Sequence, residues 1–381
     1  MVAPDDTLRI AIRHRLRRFE LDVDLAVGRE TLALVGPSGA GKTSVLRAVA
    51  GLYRPDHARI ELAGRTLTDI ARHVNLPPES RRVGLMFQDG ALFPHLSIAR
   101  NVAYGLRPRP RRRRERRARI DELLTRYGIA ELRDARPGRV SGGERQRAAL
   151  ARAVATTPDI LLLDEPLSAL DSVTKARVSR ELAQWLAELG LPTILVSHDY
   201  ADVAGLADRI AVIDAGRIVQ TGTAADLQRA PASPFVAAFV ATHYFRGTAR
   251  RDGDLTVVTL PQGGRCTCTS PATGDVALVV DPWAVTLARA GADTDADAAP
   301  NTVRGPVAQV VRTGGVARVT VSSDPPLVAE LPLERADALG LVRGELVAAA
   351  WSPDAARLVP PGDAAHERDG AAARAAVSTE R

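Results

Sequence analysis

Gly36-Pro-Ser-Gly-Ala-Gly41-Lys42-Thr43 has the spacing G-x-x-x-x-G-K-[ST], and the chemistry it permits is phosphate binding. Glycines let successive backbone N–H groups turn inward onto phosphate oxygens. A lysine so placed reaches the β- and γ-phosphates, and a threonine hydroxyl is a ligand for Mg²⁺. On this reading Gly36, Pro37, Ser38, Gly39, Ala40, Gly41, Lys42, Thr43 and Ser44 bind ATP, with Lys42 also catalytic and Thr43 on the metal. Two apolar runs end in polar residues of the kind that would complete such a site. Ile160–Leu163 ends in Asp164, suited to hold Mg²⁺, and Glu165, suited to polarise an attacking water. Thr193–Val196 ends in Ser197-His198, where His198 is expected to reach the γ-phosphate and order that water.

A second anion site is written at Ser141-Gly142-Gly143, ahead of helical spacing at Ala149, Leu150 and Ala153. Bare glycine N–H groups at a helix start attract anions. A chain that already has a P-loop has no need of another γ-phosphate site, so Ser141–Gly143 is expected to serve the ATP of a second copy.

These residues need a framework, and the apolar pattern supplies it. Leu8–Ile12 and Phe19–Val27 alternate as half-buried strands do. Thr31–Val35 leads into the glycine-rich loop, and Val45, Leu46, Val49 and Leu52 give the following segment helical spacing. Ile160–Leu163 and Thr193–Val196 are continuous apolar runs, as parallel strands buried on both faces require. Helices are expected from Ile120 to about Ala155 and over Thr174–Leu189, and a hairpin at Asp214-Ala215-Gly216. Beyond residues 235–246 helical patterns vanish. Short strands take over, and Gly274–Pro282 rhymes with Gly344–Pro353, which predicts a tandem β module.

Composition narrows the class. With 381 residues there is room for two domains, and no apolar run approaches the roughly 20 residues of a bilayer span. Two cysteines, Cys266 and Cys268, are too few for a disulfide scaffold or a metal site. Residues Arg107–Arg119 contain nine arginines and one glutamate, more than the whole chain's net charge of +6, so the basicity is one segment. That segment reads first as a solvated helix face, with a phosphate or anionic-lipid contact as the alternative, and no nucleic-acid partner is expected.

Taken in order, the P-loop, Gln88, Ser141–Gly143, Asp164-Glu165, Ser168-Ala-Leu-Asp171 and His198 resemble the nucleotide-binding domain of ABC transporters over about Leu8–Phe239. The resemblance implies an α/β, P-loop (RecA-like) domain at residues 1–240, with an antiparallel β subdomain and a helical subdomain at about 89–155. It implies ATP clamped between the P-loop of one copy and Ser141–Gly143 of the other, with Asp171 lining the interface. Gln88 would act as a catalytic and metal-linked residue tying the γ-phosphate to a membrane partner. Gln88–Ser97 is similar to the surface that receives the coupling helix of a transmembrane permease in importers. The adenine-stacking aromatic of that family is not at its usual place, which leaves His14, an arginine face or Phe19.

Leu76-Pro-Pro-Glu79, Arg81-Arg82, Phe87-Gln88-Asp89 and Leu92-Phe93-Pro94-His95 are similar to the ATPases of molybdate importers. Residues 245–360, with Asn301–Val307, Gly314-Gly315 and Val319–Val321, resemble the all-β (OB-like, TOBE/Mop-type) module appended to them. This implies an oxyanion at the C-terminal domain, an extracytoplasmic binding protein upstream, a place on the cytoplasmic face of the cell membrane, and a disordered tail at 361–381. Sulfate, ferric iron, polyamine and sugar importers are alternatives. Two other classes, an ATPase acting on nucleic acid or ribosomes and a non-enzymatic oxyanion regulator, are disfavoured by the single cassette and by the intact Lys42, Asp164, Glu165 and His198.

Overall fold

Burial alternates residue by residue along β1 (Leu8–Arg15) and β2 (Glu20–Val27), because a strand of period two turns every second side chain to one face. Every residue of β3 (Thr31–Val35) is buried, so its apolar run marks a central strand. The P-loop comes after it, and then α1 (Lys42–Ala50). That helix ends where Gly51 adopts a left-handed φ of 79°, a conformation natural to glycine. Leu52 therefore lies beyond the helix and is half exposed, although the apolar spacing assigned it to the buried face.

The structure is a computed structural model describing residues 7–88, 90–106, 113–289 and 300–362. Its contacts divide the chain between Ala224 and Ala225, earlier than the change of texture around residues 235–246. The first unit continues with β4 (His57–Leu62), β5 (Arg65–Asp69), β6 (Val74–Asn75) and β7 (Val83–Met86). Helices α2 (Ile98–Val102), α3 (Arg113–Arg126) and α4 (Gly142–Val154) come next, then β8 (Ile160–Asp164), α5 (Ser172–Leu189), β9 (Thr193–Val196), α6 (Tyr200–Leu206), β10 (Arg209–Asp214) and β11 (Arg217–Gly222). The strands form one sheet in the order β6-β5-β4-β1-β2-β11-β10-β3-β9-β8-β7. From β10 to β7 the pairing is parallel, and the β1, β2, β4, β5, β6 arm is antiparallel. This is a mixed α/β architecture with an antiparallel arm, as the sequence resemblance implied. Helices α2, α3 and α4 share one core around Ile98, Leu123, Tyr127 and Leu150.

Helix α3 starts seven residues before its first buried residue, Ile120. Its opening turns are nearly all arginine and carry no apolar period, so the spacing alone places the start too late. Arg107–Arg112 lie outside the described residues.

Arg81 is fully buried and, among the described residues, has no carboxylate partner. Its guanidinium donates to Leu76 O, to Ala48 O and Val49 O at the end of α1, and to Thr68 Oγ1 and Asn75 Oδ1. Carbonyls at a helix C-terminus carry partial negative charge and attract such a cation. Replacing Arg81 by Met strands several buried acceptors and is expected to cost about 3 kcal/mol of stability. A denaturant midpoint nearly equal to that of the parent would contradict this.

The second unit opens with α7 (Ala224–Arg229) and α8 (Pro234–Phe239), which pack against its strands: Arg357 donates to Gln228 O. One run gives β12 (His243–Asp252), β13 (Leu255–Thr259), β14 (Arg265–Cys268), β15 (Gly274–Val280) and β16 (Thr286–Arg289). The next gives β17 (Thr302–Thr313), β18 (Val316–Val321), β19 (Leu327–Pro332), α9 (Leu333–Ala338), β20 (Leu346–Ala350) and β21 (Ala356–Val359). They build two five-stranded sheets that exchange their last strands: β21 completes β14-β13-β12-β15, and β16 completes the sheet of β20, β17, β18 and β19. The rhyming segments are the equivalent strands β15 and β20. The glycines that open each run do the same work. A Cβ on Gly247 would lie 2.6 Å from Thr259 O, and one on Gly305 2.2 Å from Ser322 O. Helix α9 corrects the expectation of a helix-free region; at six residues it is too short to show a period. Cys266 and Cys268 are buried free thiols, and burial first, then the neighbouring thiol, pushes Cys266 up to about 11. The expected linker at 290–299 lies outside the described residues, as do 363–381 of the expected disordered tail.

Candidate functional site

The chemistry gathers at the carboxyl ends of the parallel strands, where ligands bind in open α/β sheets. The end of β3 delivers the P-loop, β7 delivers Gln88, β8 delivers Asp164, and β9 delivers His198. Register fixes their heights: Leu34 and Asp164 both pair with Val196, and Met86 pairs with Leu163.

The P-loop glycines are held by space as well as by φ. A Cβ on Gly36 would meet Ile213 O at 2.0 Å, and Gly41 has φ 111° with Leu21 2.8 Å from such a Cβ. Gly41 leaves α1 without a side-chain cap, whereas α2, α4, α5, α6 and α8 are each capped by a serine or aspartate. The first N–H groups of α1 thus keep their hydrogen-bonding capacity for an anion. Lys42 Nζ folds over the loop and donates to Gly36 O and Pro37 O, both at 2.8 Å. Burial lowers its pKa, and the charges of Glu165 and Asp164 oppose that.

Asp164 stands beside Thr43. Burial raises its pKa, the Glu165 charge adds to this, and Arg47, Lys42 and the Thr43 hydroxyl pull it back. Two oxygen donors, hydroxyl and carboxylate, therefore meet beside the loop, a donor set suited to Mg²⁺. Glu165 takes a left-handed φ of 47°, a strained conformation for a side chain of this kind. The turn is secured by Glu165 N to Val196 O at 2.9 Å and Ser168 N to Glu165 O. It leaves the carboxylate between Gln88 Nε2, at 2.8 Å, and His198 Nδ1, at 3.1 Å. A carboxylate so bracketed is held in one orientation, and a carboxylate can accept a proton from a water.

Ser141, Gly142, Gly143 and Asp171 form a second group, at the starts of α4 and α5. Ser141 caps α4 in a reciprocal pair with Glu144, and Glu144 is held below the usual carboxylate range by the Ser141 N–H and hydroxyl. Gly142 and Gly143 press against Leu170 and Thr174, on either side of Asp171, which caps α5. Among the described residues no hydrogen bond joins Ser141–Gly143 to the P-loop.

Of the two aromatic alternatives, Phe19 is the one beside the loop: a Cβ on Gly41 would sit 3.8 Å from its ring, which also covers Gly216. His14 is engaged elsewhere, paired with Asp56 at 2.8 Å and edge-on to Tyr53. No local pattern could distinguish the two, since only the packing of the 214–216 turn brings Phe19 in. Sequence reasoning also missed Asn101, which is fully buried. It binds Phe93 N and the carbonyls of Phe93, Leu96 and Ser97, and so fixes the turn after Gln88.

The ABC transporter family model matches residues 20–168. A molybdate/tungstate import ATP-binding protein of Archaeoglobus fulgidus is 47% identical over 220 residues, 58% of this chain and 88% of that protein. A sulfate/thiosulfate import ATP-binding protein of Chromobacterium violaceum is 46% identical over 224 residues; the match spans 59% of each protein. A spermidine/putrescine import ATP-binding protein of Thermobifida fusca is 36% identical over 346 residues, 89% of this chain and 88% of its own length. The family hydrolyses ATP with Mg²⁺, and the loop, the uncapped helix and the Thr43–Asp164 pair fit both. With the bracketed carboxylate at the strand ends and these matches in hand, the chain belongs to the ABC transporter family as an ATP-hydrolysing subunit.

Proposed function

We propose that the chain energises a molybdate or tungstate importer, working as a pair of identical copies on permease subunits at the cytoplasmic face of a membrane. The observation that carries the cargo is the 47% identity spanning 88% of the molybdate/tungstate relative. No described helix is long and apolar enough to cross a membrane, consistent with docking on an integral partner. Exposed Tyr104, its ring tilted against Phe93 with centroids 4.3 Å apart, and His95 near the same ring form the aromatic surface offered to that partner within Gln88–Ser97 and its neighbour. The import role also implies an extracytoplasmic binding protein that hands cargo to the permease.

In this reading Lys42, Gly36–Ser44 and Thr43–Asp164 hold Mg-ATP, and Mg²⁺ when bound neutralises phosphate charge. Glu165 takes the proton of the attacking water, while Gln88 and His198 orient the carboxylate. Ser141–Gly143 and Asp171 of the second copy close the site; within one chain, among the described residues, no hydrogen bond joins Ser141–Gly143 to the P-loop.

In the second unit, an open surface depression presents Gln309, Thr320, Arg343 and Arg312, the last paired with Asp337, beside apolar Val310, Leu341 and Val342; donors of this kind can hold an oxyanion. Calorimetric titration of the full chain with molybdate, tungstate, sulfate and spermidine tests the cargo class. Molybdate and tungstate are expected to bind at least about tenfold tighter than sulfate, a difference of 1.4 kcal/mol. Heat only from sulfate or spermidine would redirect the assignment, and silence from all four would count against an oxyanion site. A polyamine cargo is the second reading, favoured by the spermidine/putrescine relative's match across both units.

A further inference from the structure

The geometry points to Arg152 as a positioning residue that couples the partner-facing Phe93 turn to the Ser141 helix start. This rests on the reading above, in which Phe93–Ser97 meets a membrane partner and Ser141–Gly143 closes on the ATP of a second copy.

Arg152 stands in the last turn of α4, the helix that begins at Ser141. Its Nη1 donates to Ala91 O at 2.7 Å and its Nη2 to Gly90 O at 2.8 Å. Its Cζ lies 5.6 Å from the centroid of the Phe93 ring, within cation–π range. One guanidinium thus grips both carbonyls and the aromatic ring of the segment that comes after Gln88. The grip is tight at the backbone as well. Gly90 sits at a left-handed φ of 70°, and a Cβ there would be 3.3 Å from Ala149 Cβ, three residues before Arg152. Ala91 is also left-handed, with φ 42°. Phe93 is in turn locked by Asn101 and packed, with its ring tilted, against exposed Tyr104.

A 13-residue helix is a rod of about 20 Å. A push on the Phe93–Tyr104 face therefore reaches the far end of α4 through charge-assisted hydrogen bonds, and closure at Ser141 returns along the same route. Reciprocity is required of any such coupling. Lysine at this position keeps the charge but is a point donor without the planar fork that spans two carbonyls.

Hydrogen exchange on the full chain, in a Glu165→Gln background that holds ATP, tests the coupling without the permease. In that parent, ATP is expected to slow exchange at amides 142–145 and, through Arg152, at 90–93. Arg152→Gln should keep the ATP response at 142–145 and reduce the response at 90–93 on the order of fivefold, the lower end of measured couplings. Arg152→Lys should give an intermediate loss and serves if the glutamine variant folds poorly. A merely structural role would raise exchange at 90–93 equally with and without ATP, leaving the ratio unchanged, and that result overturns the proposal. So does a parent in which 142–145 responds to ATP and 90–93 does not. A parent in which ATP protects neither segment overturns the two-copy reading itself.

Discussion

Glu165→Gln is expected to abolish turnover while ATP stays bound, with the rate falling by about 10²–10⁴-fold, the range attributed to a general base. Glutamine has almost the same shape, so the left-handed turn at residue 165, its bond from N to Val196 O and the packing of the β8 end should persist. What disappears is the lone-pair basicity of a carboxylate held between Gln88 and His198. With cleavage stopped and binding intact, nucleotide should accumulate between two copies, and size-exclusion chromatography with ATP should show the apparent mass doubling. A variant retaining more than about a tenth of parental turnover would remove Glu165 from the role of base. Lost turnover without any association would leave the chemistry and sink the shared site.

Ser141→Arg carries the second large effect. Turnover should fall by about as much as when a transition-state donor is removed, 10²–10³-fold, while nucleotide binding to the separate chain stays near parental. The contrast arises from geometry, because Ser141 lies at the start of α4 with no hydrogen bond to the P-loop of its own chain among the described residues. Ser141 is also a helix cap, and losing a cap costs about 1 kcal/mol. That is small beside a domain's stability of roughly 5–15 kcal/mol, so unfolding does not account for the expected loss. Fluorescent-nucleotide titration beside steady-state hydrolysis separates the outcomes. If affinity in the isolated chain drops in step with turnover, Ser141 belongs to the site in cis and the two-copy arrangement fails.

The nucleotide site was legible because its parts are local. A P-loop is eight consecutive residues whose glycines are set by backbone geometry, and a buried parallel strand ending in a carboxylate announces itself by an unbroken apolar run, as in Ile160–Asp164. Where a segment lacks a period, the reading stopped. The start of α3 is nearly all arginine, Leu52 has the right spacing but lies past the glycine that ends α1, and α9 is too short. The tandem β region was visible as a rhyme between β15 and β20. The exchange of final strands was not, because β16 and β21 show no trace in their own residues of which sheet they complete.

By itself, then, the sequence determined the kinds of groups available and the short segments that carry them: the phosphate loop, Asp164-Glu165, His198 and the glycine-rich helix start at Ser141. The tertiary structure alone decided which of them meet. Gln88 and Glu165 are 77 residues apart and share a hydrogen bond, Arg152 reaches back 62 residues to Gly90, and Phe19 rather than His14 lies by the loop. Such encounters depend on strand order and on how helices pack, which arise from the sum of many weak burial terms over the whole chain and not from the residues that finally touch.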